Sequence, residues 1–232
     1  MKKIEKWLTG FCAACALVCT ASFFASCSNT NDDSSSGTPG TTPTDKPYST
    51  VTVEDVTAGT LAGTSGNYSV YTASWMGDES GHAVWTITFT SATGGTFIDE
   101  NNASGTFTCD GTEITLTSSS FSGPKKHFVF KYGDVYYCAL GKLTKSNSTS
   151  GIAGDWYIDW DTPKEKPFTF GADGTVSKWE GYSGTGTWAK DADKEGVIKV
   201  NFSSTNKTIT NEPWLCTTGT LYSSPLKLTK TN

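Results

Sequence analysis

Along much of this 232-residue chain, large apolar residues alternate one-for-one with polar ones. A period of two is the signature of a half-buried strand and does not match a helix face. Trp85, Ile87 and Phe89 fall on one side, and Thr86, Thr88 and Thr90 on the other. Trp156, Ile158 and Trp160 oppose Asp155, Tyr157, Asp159 and Asp161, while Ile198, Val200 and Phe202 oppose Lys199 and Asn201. Phe128, Phe130 and Tyr132 stand opposite Val129 and Lys131. Between the runs lie Asp110-Gly111, Gly133-Asp134 and Asp173-Gly174, and glycine there supplies the positive φ that tight hairpins need. The pattern predicts an all-β chain of antiparallel strands joined by hairpins.

The features also recur in order, as in an internal repeat. Leu61-Ala62-Gly63 is echoed by Ile152-Ala153-Gly154, and Trp85–Phe97 by Phe168–Val176. Ser104–Leu116 matches Ser183–Val200, and Val135–Lys145 matches Pro213–Lys230, which sets Cys138 against Cys216. Two β units follow, residues 48–148 and 149–232, with Ser146–Gly151 at their junction. Closing a barrel around one small ligand takes about eight strands, and a unit of this size predicts about five or six. The expected architecture is an antiparallel meander of two tandem small barrels or half-barrels, filled inside, with any cavity between them. The alternative is one barrel or sandwich of about ten to twelve strands built from both repeats.

The first residues read differently. Lys2, Lys3 and Lys6 precede an apolar stretch from about Leu8 to Phe24, the charged and apolar regions of an export signal. Of the four early cysteines, Cys27 alone follows both a full apolar core and two small residues, Ala25-Ser26. Phe24-Ala25-Ser26-Cys27 resembles the bacterial lipobox, with Phe24 where Leu is usual. The resemblance implies a signal peptide over 1–26 and a diacylglycerol on Cys27. Several acyl chains anchor firmly where one chain holds only marginally. Residues 28–47, SNTNDDSSSGTPGTTPTDKP, hold no large apolar side chain. Such a run buries too little surface to offset its ordering entropy and is expected to be a disordered tether. Asp32-Asp33 resembles an acidic surface-export tag, or simply solubilises the linker. Ser28 gives no inner-membrane retention signal of the Asp type. The expected location is the cell envelope, at the outer membrane or cell surface, with the membrane as partner through Cys27.

The charge pattern argues against polyanion partners. All 18 basic residues are lysines, and arginine is the usual bidentate reader of phosphate and guanine. Without residues 1–26 the chain has 15 lysines against 22 acidic residues, a net charge of −7. No nucleic-acid partner is expected.

The order of motifs is similar to that in the lipocalin-like domains of bacterial secreted lipoproteins. The second unit carries it best, in Ile152–Trp156, Phe168–Thr175, Gly186–Trp188, Ile198–Val200 and Leu226–Leu228. In the first unit Gly94-Gly95 stands in place of Asp-Gly. The resemblance implies an up-and-down, partly closed meander that binds rather than catalyses, with no known ligand attached.

Catalytic and metal signatures are sparse. The two histidines, His82 and His127, lie far apart in sequence, and Gly181-Tyr182-Ser183-Gly184 lacks the spacing of a nucleophile elbow. Asp191, Asp193 and Glu195 echo the opening of a calcium loop, but the twelfth position is Phe202 rather than a bidentate Glu. A solvated acidic turn is the simpler reading. Asp159 and Asp161 share the polar side of a strand, so they read as a solvated face rather than a glycosidic acid–base pair. No enzymatic activity, cofactor or metal site is expected. A Cys109–Cys138 disulfide would staple the first unit, in a compartment that permits it. Ligand contact is expected at Trp179 and Tyr182, in an exposed loop, and at Trp156 and Trp160 if an apolar lumen forms. The occupant is a small apolar molecule, a glycan or, for an adhesin-type module, a protein.

Overall fold

The computed structural model describes residues 48–78, 80–146, 151–159 and 165–232. Cys27, the tether, Trp160 and Asp161 lie outside the described residues. The described chain is all-β apart from one 3-10 turn, η1 (Ala58–Ala62). Its strands are β1 (Glu54–Asp55), β2 (Gly63–Thr64), β3 (Asn67–Tyr68), β4 (Val70–Trp75), β5 (Trp85–Ser91), β6 (Gly94–Ile98), β7 (Ser104–Asp110), β8 (Glu113–Thr117), β9 (Lys125–Tyr132) and β10 (Val135–Lys145). There follow β11 (Gly154–Ile158), β12 (Phe168–Phe170), β13 (Thr175–Trp179), β14 (Tyr182–Lys190), β15 (Val197–Ser203), β16 (Thr208–Thr217) and β17 (Thr220–Lys230). The three Gly-containing turns fall between β7 and β8, β9 and β10, and β12 and β13, and Gly111, Gly133 and Gly174 have φ of 55°, 59° and 90°.

The antiparallel meander closes twice. Strands β4 to β10 pair in succession, β10 pairs with β17, and β17 pairs back to β4, which makes a first ring of eight strands. Strands β11 to β17 also pair in succession, β17 pairs with β10, and β10 pairs with β11, making a second ring of eight. Each half of the chain contributes seven strands, and its eighth is borrowed. The long strands β10 and β17, 11 residues each, are common to both rings.

Their pairing is self-similar. Tyr136 pairs with Leu228, and Leu143 with Leu221, so a half-turn carrying β10 onto β17 maps the ladder onto itself. The same operation carries the Lys131–Tyr136 pair onto Cys216–Leu221. Cys216 therefore corresponds to Lys131, and Cys138 to Ser223. The match of KLTK in β10 with KLTK in β17 agrees with this operation, whereas the match of Cys138 with Cys216 is out of register with it.

Strand alternation sends opposite faces of the shared ribbon into different cores. Tyr136, Cys138 and Leu140 pack in ring 1 with Leu226 and Leu228, while Leu143 and Leu221 pack in ring 2. Both interiors are filled, ring 1 by Phe89, Phe97, Phe107 and Leu116 among others, and ring 2 by Trp156, Phe170, Trp188 and Trp214. A third cluster lies outside both rings, where Phe128, Phe130 and Ala139 meet Val197, Leu215 and Tyr222. The face carrying Phe128, Phe130 and Tyr132 thus packs against the neighbouring ring, and the lumen of ring 1 receives Val129.

A strap at residues 48–62 ties the two rings together. Tyr48 meets Trp188 edge-on at 6.2 Å, and the Val51 amide donates to the Cys216 carbonyl at 3.0 Å, both in ring 2. Farther on, β1 pairs with β9 at Lys131 and Phe130, and η1 buries Ala58, Leu61 and Ala62 in the end of ring 1.

Ring closure across the two halves has a direct consequence. The second unit alone, residues 149–232, lacks the β10 strand on which β11 and β17 pair. This fragment is expected to melt without cooperativity or to pair with a second copy of itself. Extending it to begin at Gly133 restores a monomeric, cooperative transition, checked by thermal melts with sedimentation analysis. A monomeric, cooperative melt of 149–232 would contradict the shared-strand account.

Candidate functional site

Both lumens are packed, and cavities open outside them, among them one of about 400 Å³ lined by Trp75, Lys199 and Thr208–Pro213. A cavity of about 310 Å³ opens at the end of ring 1 opposite η1 and at the equivalent end of ring 2. Ring 1 supplies Trp85 from β5, Phe121 from the β8–β9 loop and Lys125, Lys126 and His127 from β9. Ring 2 supplies Phe168, Trp179, Glu180, Lys207 and Glu212, and the floor is Leu140, Ser223 and Ser224 of the shared strands. The half-turn relating β9 to β16 makes His127 and Glu212 counterparts, so each ring sends one polar residue to the same cavity.

The aromatic walls are braced from behind. Trp85 stacks on Phe97 at 5.6 Å, and Phe97 stacks on Phe121 at 5.7 Å. The Trp85 indole donates to Glu100. Across the cavity, Trp179 lies 5.1 Å from Phe168 and 5.2 Å from Trp214.

Both inward polar groups are perturbed by burial. His127 is 5% exposed, its ring centroid 5.4 Å from that of Trp85, and its Nδ1 is enclosed without a hydrogen-bond partner. Removal from water disfavours the imidazolium and lowers its pKa to about 4. The ring is therefore neutral at physiological pH. Burial raises the Glu212 pKa, opposed by hydrogen bonds from Ser224 and Trp214. The Ser224 hydroxyl at 2.6 Å and the Trp214 indole at 2.9 Å both donate to Oε1, and no described residue donates to Oε2. Lys207 is the nearby cation that favours the carboxylate, and Glu180 the anion that opposes it.

The residues singled out in the sequence are scattered. Trp179 was expected in an exposed loop, but it is 3% exposed at the end of β13, walled by Phe168, Phe202 and Trp214. It still borders the cavity. Tyr182, three residues on, is 48% exposed. Trp156 is core, its indole donating to the Ile152 carbonyl at 2.7 Å, and it does not line the cavity. The expected Cys109–Cys138 bridge is not formed. Both are free thiols in the packing of ring 1, and burial pushes Cys109 up to about 11 and Cys138 to about 12. Cys216 is likewise a free, buried thiol.

The remaining polar motifs satisfy themselves locally. In the loop after β4, Asp78 accepts from the Ser80 hydroxyl and amide, and the Ser80 oxygen accepts from the His82 amide, so the hydroxyl proton is committed to a carboxylate rather than to the His82 imidazole. Asp191 accepts the amides of Asp193 and Lys194 and lies 3.5 Å from Lys199, which makes it the cap of its own turn. Asp159 accepts from the Thr144 hydroxyl at 2.9 Å. Among the described residues no group of three or more His, Cys, Asp or Glu side chains is placed to hold a metal ion.

Sequence reasoning missed Glu212, Ser224 and the placement of His127. One signal was available. Glu212 shares the alternating face of Trp214 and Cys216, and an acidic residue on an apolar face is either paired or functional. No protein-family model, curated protein or solved structure matches the chain.

Two outcomes test this description. Replacing Trp179 by Ala removes a fully packed indole and is expected to cost about 3–5 kcal/mol, whereas Tyr182→Ala changes stability by less than about 0.5 kcal/mol; chemical denaturation separates them. The second concerns pH. The folded His127 pKa, about 4, lies below the ordinary 6.5, so the unfolded chain takes up the proton first as pH falls. Its contribution to stability is whole above about pH 6.5 and is lost toward pH 4, about 3 kcal/mol in all. Wild type is expected to lose that much more than His127→Phe over this interval. Glu212, shifted the opposite way, titrates in both proteins and cancels in the difference.

Proposed function

We propose that this chain is a lipid-anchored, extracytoplasmic binding protein of lipocalin-like type, non-enzymatic, whose ligand sits in the cavity between its two rings. The supporting observation is His127, which lines that cavity beside Glu212 while its Nδ1 is enclosed without a partner. An enclosed polar atom without a partner costs about 1–3 kcal/mol, and a functional role is one of the explanations for such a group. The filled lumens support the same location, since they leave the seam as the place for a guest. The anchor rests on the sequence around Cys27, and the tether on residues 28–47. A small ligand site of about 300–1,000 Å³ is typically apolar with a few convergent polar groups, and Trp85, Phe121, Phe168 and Trp179 around His127 and Glu212 fit that description.

The test is purification of the full chain from its native host, with mass spectrometry of the N-terminal peptide and of small molecules released on denaturation. The expected result is an N-terminus at Cys27 carrying acyl chains, and one small molecule per chain. An unmodified N-terminus would overturn the anchor, and a chain that arrives empty would count against the ligand seat.

A further inference from the structure

Resting on the cavity as ligand seat, we propose that its occupant is a neutral hydroxylated ring of the pyranose class, hydrogen-bonded by the His127 imidazole and Glu212 Oε2 with Trp85 and Trp179 among its walls. Charge decides first. Lys125, Lys126 and Lys207 line the cavity together with Glu180 and Glu212, and Lys126 is paired to Glu113 at 2.9 Å. With Lys126 held by Glu113, Lys125 and Lys207 stand against Glu180 and Glu212, so the lining offers neither a carboxylate nor an ammonium a net attraction. A neutral guest needs none.

Hydrogen bonding decides next. A purely apolar guest would leave Glu212 Oε2 and the imidazole edge that lines the cavity dehydrated and unpaired. The neutral imidazole presents each ring nitrogen as a donor or as an acceptor according to its tautomer. A hydroxyl serves either tautomer and also donates to the carboxylate. Several hydroxyls on one rigid ring reach both positions without the ordering entropy of a flexible chain. The rest of the lining, Leu140, Ile158, Phe121 and Phe168 with the two tryptophans, suits the C–H faces of such a ring. At about 310 Å³, the cavity is at the small end of ligand sites.

The test uses full-length protein in a detergent free of sugar headgroups. It is titrated with a panel of neutral methyl pyranosides and, in parallel, with palmitate and with tetramethylammonium, by calorimetry and tryptophan fluorescence. At least one pyranoside is expected to bind, and His127→Phe and Glu212→Gln are each expected to weaken it at least tenfold. In the absence of ligand His127→Phe raises the melting temperature by a few degrees, because it removes an unpaired buried polar atom. A histidine that served only the fold would move the melting temperature down. Palmitate or the ammonium ion binding where no pyranoside does would overturn the ligand class and keep the cavity as a binding site. Pyranoside binding untouched by both substitutions would place the sugar elsewhere and overturn this assignment. Failure of every probe, with an empty cavity in protein from the native host, would overturn both readings.

Discussion

The ladder between β10 and β17 carries the rest of the molecule. Each of these strands runs on from one ring into the other. On one edge β10 holds β17 along its length, and on the other it holds β9 near its start and β11 near its end. In the same way β17 holds β16 and then β4. An antiparallel meander of seven strands would end on two open edges, and open edges are sites of aggregation and mispairing. Crossing the two long strands closes both rings with one shared pair. Because side chains alternate, the same ribbon lines one lumen with one face and the other lumen with its opposite face.

The middle of that ribbon is irregular, and the irregularity is where the cavity floor forms. The ladder runs through Ala139–Pro225 and resumes at Gly141–Ser223, skipping Leu140 and Ser224. Pro225 has no amide hydrogen to donate, and Ser224 takes a φ of 46°, uncommon for a non-glycine residue. Released from regular pairing, Ser224 directs its hydroxyl to Glu212 at 2.6 Å. The break in the ladder and the polar floor of the cavity are one feature seen from two sides. A half-buried carboxyl is costly to hold without donors, and its indole and hydroxyl donors come from β16 and β17, which the shared ladder keeps in place.

The strap adds a second tie between the rings, of a different kind. Val51 and Val53 cover the cluster of Phe130, Leu215 and Tyr222, whose rings Phe130 and Tyr222 lie 4.4 Å apart. Its few main-chain bonds take positions on β16 and β9 beyond the reach of β15 and β8. The segment leading from the proposed tether therefore contributes apolar cover to both rings before η1 closes one end of ring 1.

Much of this was legible in the chain by itself. Period-two alternation marked β5, β9, β11 and β15, and glycine turns marked three of the hairpins, because both signals depend on neighbours a few residues away. The ordered recurrence of motifs was legible too, although its register slipped at Cys138 and Cys216, where short matches carried no information about which strand pairs with which. Ring membership was not legible, since it rests on pairings such as Leu228 with Ala73, more than 150 residues apart. Nor was the side on which Phe128 and Phe130 would be buried: both faces of β9 are buried at its middle, and only the approach of the second ring decides between lumen and seam. Trp179 looked like a loop residue because Gly181 follows it closely; in the fold β13 runs on through it, and Phe168, Phe202 and Trp214 close over its ring. The cavity belongs wholly to the tertiary structure. His127 and Glu212 are 85 residues apart in the sequence, and what makes them partners is the half-turn that lays one ring's end against the other's.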